Sequence, residues 1–141
     1  MLDDRPFHVM RLVMREHGAR WQRALPELTK PQYAVLAALA EATELEQSLL
    51  VEAAASTKAT LADLLARLEM QGLVERRTEP RDRRRRFVSL TAEGRRVYAA
   101  ARPRADAVSE TFLTKLDEDD RRELTRLLCL LAESRLRTPD A

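Results

Sequence analysis

The feature that most constrains this chain is the abrupt change of period at Gly72. Before it, Leu61, Leu64, Leu65 and Leu68 recur at i, i+3, i+4 and i+7, the stripe of a helix spanning about Thr57 to Gln71. After it, residues 73–77 and 84–90 read as two short strands around a tip containing Glu79, Pro80, Arg81 and Asp82. A glycine suits the left-handed turn that stops a helix, so the chain is expected to pass directly from helix to β-hairpin at this point.

The hairpin carries an unusual charge. From Arg76 to Arg86 the sequence is RRTEPRDRRRR, seven arginines against Glu79 and Asp82. This is a local charge of +5 in a chain whose formal total is +2, so everything outside the block sums to −3. A solvated loop could carry such a run, but a basic block on an otherwise acidic chain points to a localised polyanion contact.

The elements around the hairpin read as helices. Residues 5–25 place Phe7, Met10, Met14, His17 and Trp21 on one mostly apolar stripe, interrupted at Pro26. Thr29 is a candidate N-cap, with Pro31 in the first turn and Gln32 at the capping-box position, for a helix to about Ala42. A short helix is expected from about Glu46 to Ala54. After the hairpin, Thr91 caps a long helix with a kink expected at Pro103, and Asp117 caps a last helix lined by Leu124, Leu127, Leu128 and Leu131. The fold class is therefore mainly α with a small β-hairpin wing. Its single domain spans residues 1–141, with a winged helix-turn-helix over about 29–95 and dimerisation helices over about 5–25 and 95–136.

Composition excludes several classes. With 45% hydrophobic and 34% charged residues the chain is globular, and only three glycines in 141 residues favour helices. The single cysteine excludes an internal disulfide framework, and no stretch approaches the roughly 20 apolar residues of a membrane span. A reducing cytoplasm without membrane association is expected. His8, His17 and Cys129 make no metal-ligand cluster, and no nucleophilic triad, phosphate loop or carboxylate pair occurs. Neither an enzyme nor a bound cofactor is expected.

A helix-turn-helix followed by a basic hairpin suits double-stranded DNA. The second helix fits a major groove, and burial of its leucines turns Lys58, Ala59, Ala62 and Asp63 outward. Thr57 and Thr60 stand at its N-terminus, where hydroxyls and free backbone N–H groups suit phosphate. The hairpin's arginines can reach adjacent phosphates or the minor groove.

LTKPQYAVLAAL, ARLEMQGLVERR and EPRDRRRRFVSLTAEGRRV resemble the MarR family of regulators from about Phe7 to the last helix. The resemblance implies a homodimer with interleaved first and last helices, bound to a pseudo-palindromic operator. It maps the recognition helix onto 56–71 and the wing's Asp-x-Arg onto Asp82 and Arg84, the aspartate holding the tip and the arginine entering the minor groove. Arg83, Arg85 and Arg86 complete the expected DNA set. Asp63 departs from the basic or polar residue common in the family, and an acid there suits only a cytosine amino group or a brace to Arg67.

His8, Arg11 and Arg15 follow i, i+3, i+7 and give the first helix a cationic stripe. It is either a solvated face or a clamp for the carboxylate of a small aromatic acid, with Trp21 or Tyr33 against the ring. RPFHVMRLVMREH, a following Trp and ALPELTKPQYAVL resemble the subgroup that represses nicotinate catabolism, the NicR type, which implies 6-hydroxynicotinate as inducer. Two other readings stand beside a ligand-responsive repressor: a ligand-independent architectural DNA-binding protein, and a redox sensor through Cys129.

Overall fold

The computed structural model describes residues 4–132. Its helices are α1 (Pro6–Ala24), α2 (Lys30–Ala40), α3 (Leu50–Ala53), α4 (Lys58–Met70), α5 (Ala92–Leu113) and α6 (Glu118–Leu131). Three strands, β1 (Leu45–Glu46), β2 (Val74–Glu79) and β3 (Asp82–Leu90), form one antiparallel sheet in the order β1-β3-β2. The mainly helical fold with a small hairpin wing is thus present. The expected continuation of the last helix to about residue 136 lies outside the described residues.

Local chemistry explains the boundaries. Thr29 accepts a hydrogen bond from the Gln32 backbone N–H while the Gln32 side chain accepts from Thr29, a complete capping box. Thr57, Thr91 and Asp117 each accept from the backbone N–H three residues on. Gly72, at φ +74°, ends α4: its N–H donates to Glu69 and that of Leu73 to Leu68, so two orphan carbonyls are satisfied. Ala55 does the same after α3 at φ +48°, with Ser56 N–H reaching Val51. An alanine there is strained where a glycine would not be.

Two local expectations are corrected. The helix expected over 46–54 is a two-residue strand, a 3₁₀ turn over Gln47–Leu49 and the single turn α3. Leu45 and Glu46 pair with Val88 and Phe87, so backbone groups that a helix would have satisfied internally are satisfied across the sheet. The hairpin tip is shorter than expected, only Pro80 and Arg81 lying between the paired Glu79 and Asp82. α5 carries Pro103 within its length, so the helix continues through the proline.

The core lies where α2, α4, the sheet and α5 meet. Val35, Leu36, Leu39, Leu50, Leu65, Leu68 and Val88 have no solvent exposure, and each such leucine contributes roughly 1.5–3 kcal/mol on burial. The start of α5 is fastened to the end of α4. Thr91 donates its hydroxyl to the Gly72 carbonyl (2.6 Å) and its N–H to Leu73 (3.1 Å), and a Cβ at Gly94 would overlap the Leu73 carbonyl.

Candidate nucleic-acid interface

α4 turns its leucines inward, which leaves Thr57, Lys58, Ala59, Thr60 and Asp63 exposed and Ala62 half-buried. The Thr57 hydroxyl donates to that of Thr60 (3.0 Å), so the two threonines form one polar edge at the helix N-terminus. Asp63 has no ion pair among the described residues, and Arg67 does not brace it. A cleft of about 250 Å³ separates this end of α4 from the wing, lined by Lys58, Arg84, Arg86, Gln47, Ser48 and Glu46 among others. The expected helix and hairpin cations therefore converge on one opening, with Glu46 the sole acid on its walls.

The wing arginines divide into two groups. Opposite the single step Thr78 to Glu79, β3 advances from Arg86 to Asp82, so Arg83, Arg84 and Arg85 bulge out of the ladder. Asp82 stabilises this excursion by accepting from the Arg84 backbone N–H (3.1 Å) and, more weakly, from its Nε (3.4 Å). The Arg84 side chain nevertheless stays 94% exposed. Arg81, Arg83 and Arg86 have no ion pair among the described residues.

Arg76, Arg77 and Arg85 are engaged with the protein itself. Arg76 meets Glu69 of α4 at 3.1 Å. Arg77 makes a two-pronged contact with Glu44 (2.9 and 2.5 Å), which holds that carboxyl below the usual carboxylate range. Arg85 makes the same fork with Glu46 (3.3 and 3.2 Å). Both guanidinium groups also lie over the Phe87 ring, at 4.4 and 5.2 Å from its centroid. Arg85 therefore differs from the rest of the expected DNA set.

The structure separates the expected ligand residues. Trp21 is buried and its Nε1 donates to the Leu28 carbonyl (2.8 Å), and it meets Tyr33 edge to face at 5.3 Å. His8 is half-buried, and Arg11 and Arg15 are exposed. At 3.6 residues per turn, that stripe lies roughly 110° around α1 from Trp21. Within one protomer the two halves face apart.

Sequence reasoning missed what does surround Trp21 and Tyr33. His17 stacks toward Trp21 and Phe112 (6.3 and 5.5 Å), and Tyr33 lies 5.6 Å from Tyr98. The Nδ1 of His17 is buried without a partner among the described residues, and burial, aided by Lys30, pushes its pKa below the ordinary value. Burial also lowers Lys30, and it pushes the Tyr33 phenol up to about 12 with help from Tyr98. The signal available in the sequence was the placement of His17 and Trp21 four residues apart on one face.

The MarR family model matches residues 28–85, which run from just before α2 into β3 of the wing. The transcriptional regulator HosA of Escherichia coli O111:H- is 51% identical over 127 residues, covering 90% of this chain and 94% of that protein. The chain belongs to the MarR family. It is a DNA-binding transcriptional regulator of a family whose members form dimers, and it is not an enzyme. The repressor NicR of Pseudomonas putida is 30% identical over 142 residues, covering 94% of this chain and 90% of NicR. The likeness to HosA thus exceeds that to NicR.

Solved structures agree with this placement. The PcaV regulator of Streptomyces coelicolor, in complex with its natural ligand, superposes with a TM-score of 0.88 at 31% identity, covering 94% and 95% of the two chains. Bordetella bronchiseptica BpsR, whose DNA binding is regulated by 6-hydroxynicotinic acid, gives 0.85 at 27%, covering 94% and 96%. No helix among the described residues is long and apolar enough to cross a membrane.

Proposed function

We propose that this regulator is a homodimeric repressor that reads a pseudo-palindromic duplex and is released by a small aromatic acid. The convergence of Lys58, Arg84 and Arg86 on one cleft beside the N-terminus of α4 carries the DNA half of this reading. In it, Thr57, Lys58, Ala59, Thr60 and Ala62 face the major groove. Asp82 aims Arg84 at the minor groove, and Arg83 and Arg86 follow the backbone. Two such units about a two-fold axis meet half-sites about one helical turn apart, roughly 34–36 Å. Arg84→Ala then weakens binding to a duplex selected by the dimer by about 1–3 kcal/mol, while Arg5→Ala leaves it nearly unchanged. Equal affinities for the two variants in gel-shift titrations would refute the wing assignment.

The effector half rests on the aromatic cluster around Trp21 and Tyr33 and on the exposed cationic stripe of His8, Arg11 and Arg15. Because the halves face apart in one protomer, this reading takes the partner's α1 to bring its stripe to the cluster. The family relationship to BpsR makes 6-hydroxynicotinate the first compound to test. A hundred-fold loss of DNA affinity requires about 2.7 kcal/mol of preference for the non-binding state. Titration of 6-hydroxynicotinate, nicotinate and salicylate into the protein–DNA complex tests the effector. If none releases DNA or raises Tm, the effector reading falls and the DNA reading stands.

A further inference from the structure

β1 and the residue before it set two acids, Glu46 and Glu44, beside a wing otherwise dominated by cations. Glu46 is the cross-strand neighbour of Phe87, and Phe87 is that of Arg77, so all three occupy one face of the sheet. Arg85, two residues before Phe87, shares that face. The result is a chain of contacts: Glu44 to Arg77, both Arg77 and Arg85 over Phe87, and Arg85 to Glu46. Glu46 also forms a wall of the cleft that Lys58, Arg84 and Arg86 line. A carboxylate there repels the phosphates those cations attract, and its fork keeps Arg85 folded back on the sheet.

Resting on the DNA reading above, we propose that Glu46 tunes the wing's sequence-independent hold on DNA: it withholds Arg85 from the backbone and offsets one cation per subunit. Phosphate contacts are sequence-blind, so each added cation strengthens the wrong complexes as much as the right one. A protein with seven arginines in its wing segment is exposed to that fault. Glu46 offsets one charge where DNA enters, and Arg84 on its Asp82 support remains available to read the groove.

The test measures dimer affinity against salt for two duplexes of about 30 base pairs, one of random sequence and one selected from a randomised pool. Glu46→Gln is expected to steepen the log–log slope by about one unit per subunit on the random duplex. Near 0.15 M salt this tightens binding about five-fold per added contact, on the selected duplex as on the random one. Glu46→Gln combined with Arg85→Gln is expected to restore both values. A merely structural glutamate would weaken both duplexes without steepening the slope, and that result overturns the proposal. So does an unchanged slope in a Glu46→Gln protein with wild-type Tm. If Arg84→Ala leaves binding of the selected duplex unchanged, the DNA reading itself fails and takes this inference with it.

Discussion

The winged head and the helical frame are built from similar residues to opposite effect. In the head, Leu36, Leu39, Leu61, Leu65 and Leu68 are at most 1% exposed and the core closes within one chain. In the frame, Phe7 is 69%, Leu131 66% and Leu130 54% exposed, and α6 buries no residue at all. Single apolar side chains at a surface need no explanation, but whole helix faces do. The head closes its own core, whereas the frame leaves apolar helix faces uncovered, the surface that the proposed dimer would bury.

Matched substitutions in the two regions separate them most sharply. Leu65→Ala is expected to cost about 2–5 kcal/mol, with a loss of Tm that a cavity explains. Leu128→Glu is expected to leave the head's core intact and weaken dimerisation by roughly a hundred-fold or more, since it places an unpaired carboxylate in the joint. Sedimentation equilibrium with thermal melts distinguishes the outcomes. A dimer indifferent to Leu128→Glu would break the comparison.

The junction between the regions comes next in size. Gly94→Ala forces a methyl against the Leu73 carbonyl and is expected to cost about 1–3 kcal/mol, because backbone must move. Urea melts read this directly, and an unchanged midpoint would show that α5 is not tightly seated.

A smaller effect follows from His17. Its depressed pKa means that the unfolded chain takes up the proton first, so stability is complete above pH 6.5 and declines as pH falls below it. Between about pH 7.5 and 5.5 the wild type is expected to lose more Tm than His17→Gln. Parallel melting curves would place His17 in open solvent. Smallest is Ala55→Gly, which relieves the left-handed alanine but loosens the unfolded chain, for a net gain below about 1 kcal/mol. A lower Tm would contradict the strain assigned to that turn.

Most of the fold was legible because its signals are local. Thr29 with Gln32, Thr57, Gly72, Thr91 and Asp117 each announce a helix end through their own side chain or backbone freedom, and each stands at that end. β1 was not legible. Two residues carry no period, and they become a strand only by pairing with β3, some 40 residues away. The wing's composition pointed to its charge, but not to Arg77 and Arg85 being held by glutamates 33 and 39 residues earlier. His8, Arg11 and Arg15 all lie on α1, so their common face follows from their spacing. Its offset of roughly 110° from Trp21 follows from the same spacing, whereas the place of Tyr33 depends on how α2 lies against α1, which one helix does not encode.

The bolt between Thr91 and Gly72 makes α5 a lever with its fulcrum at the foot of α4. Its 22 residues give an arm of about 33 Å, so a displacement of only about 3 Å at the far end turns the fulcrum by roughly 5°. With the backbones at Gly94 and Leu73 in close approach, a tilt of α5 about this point would have to carry the foot of α4 with it.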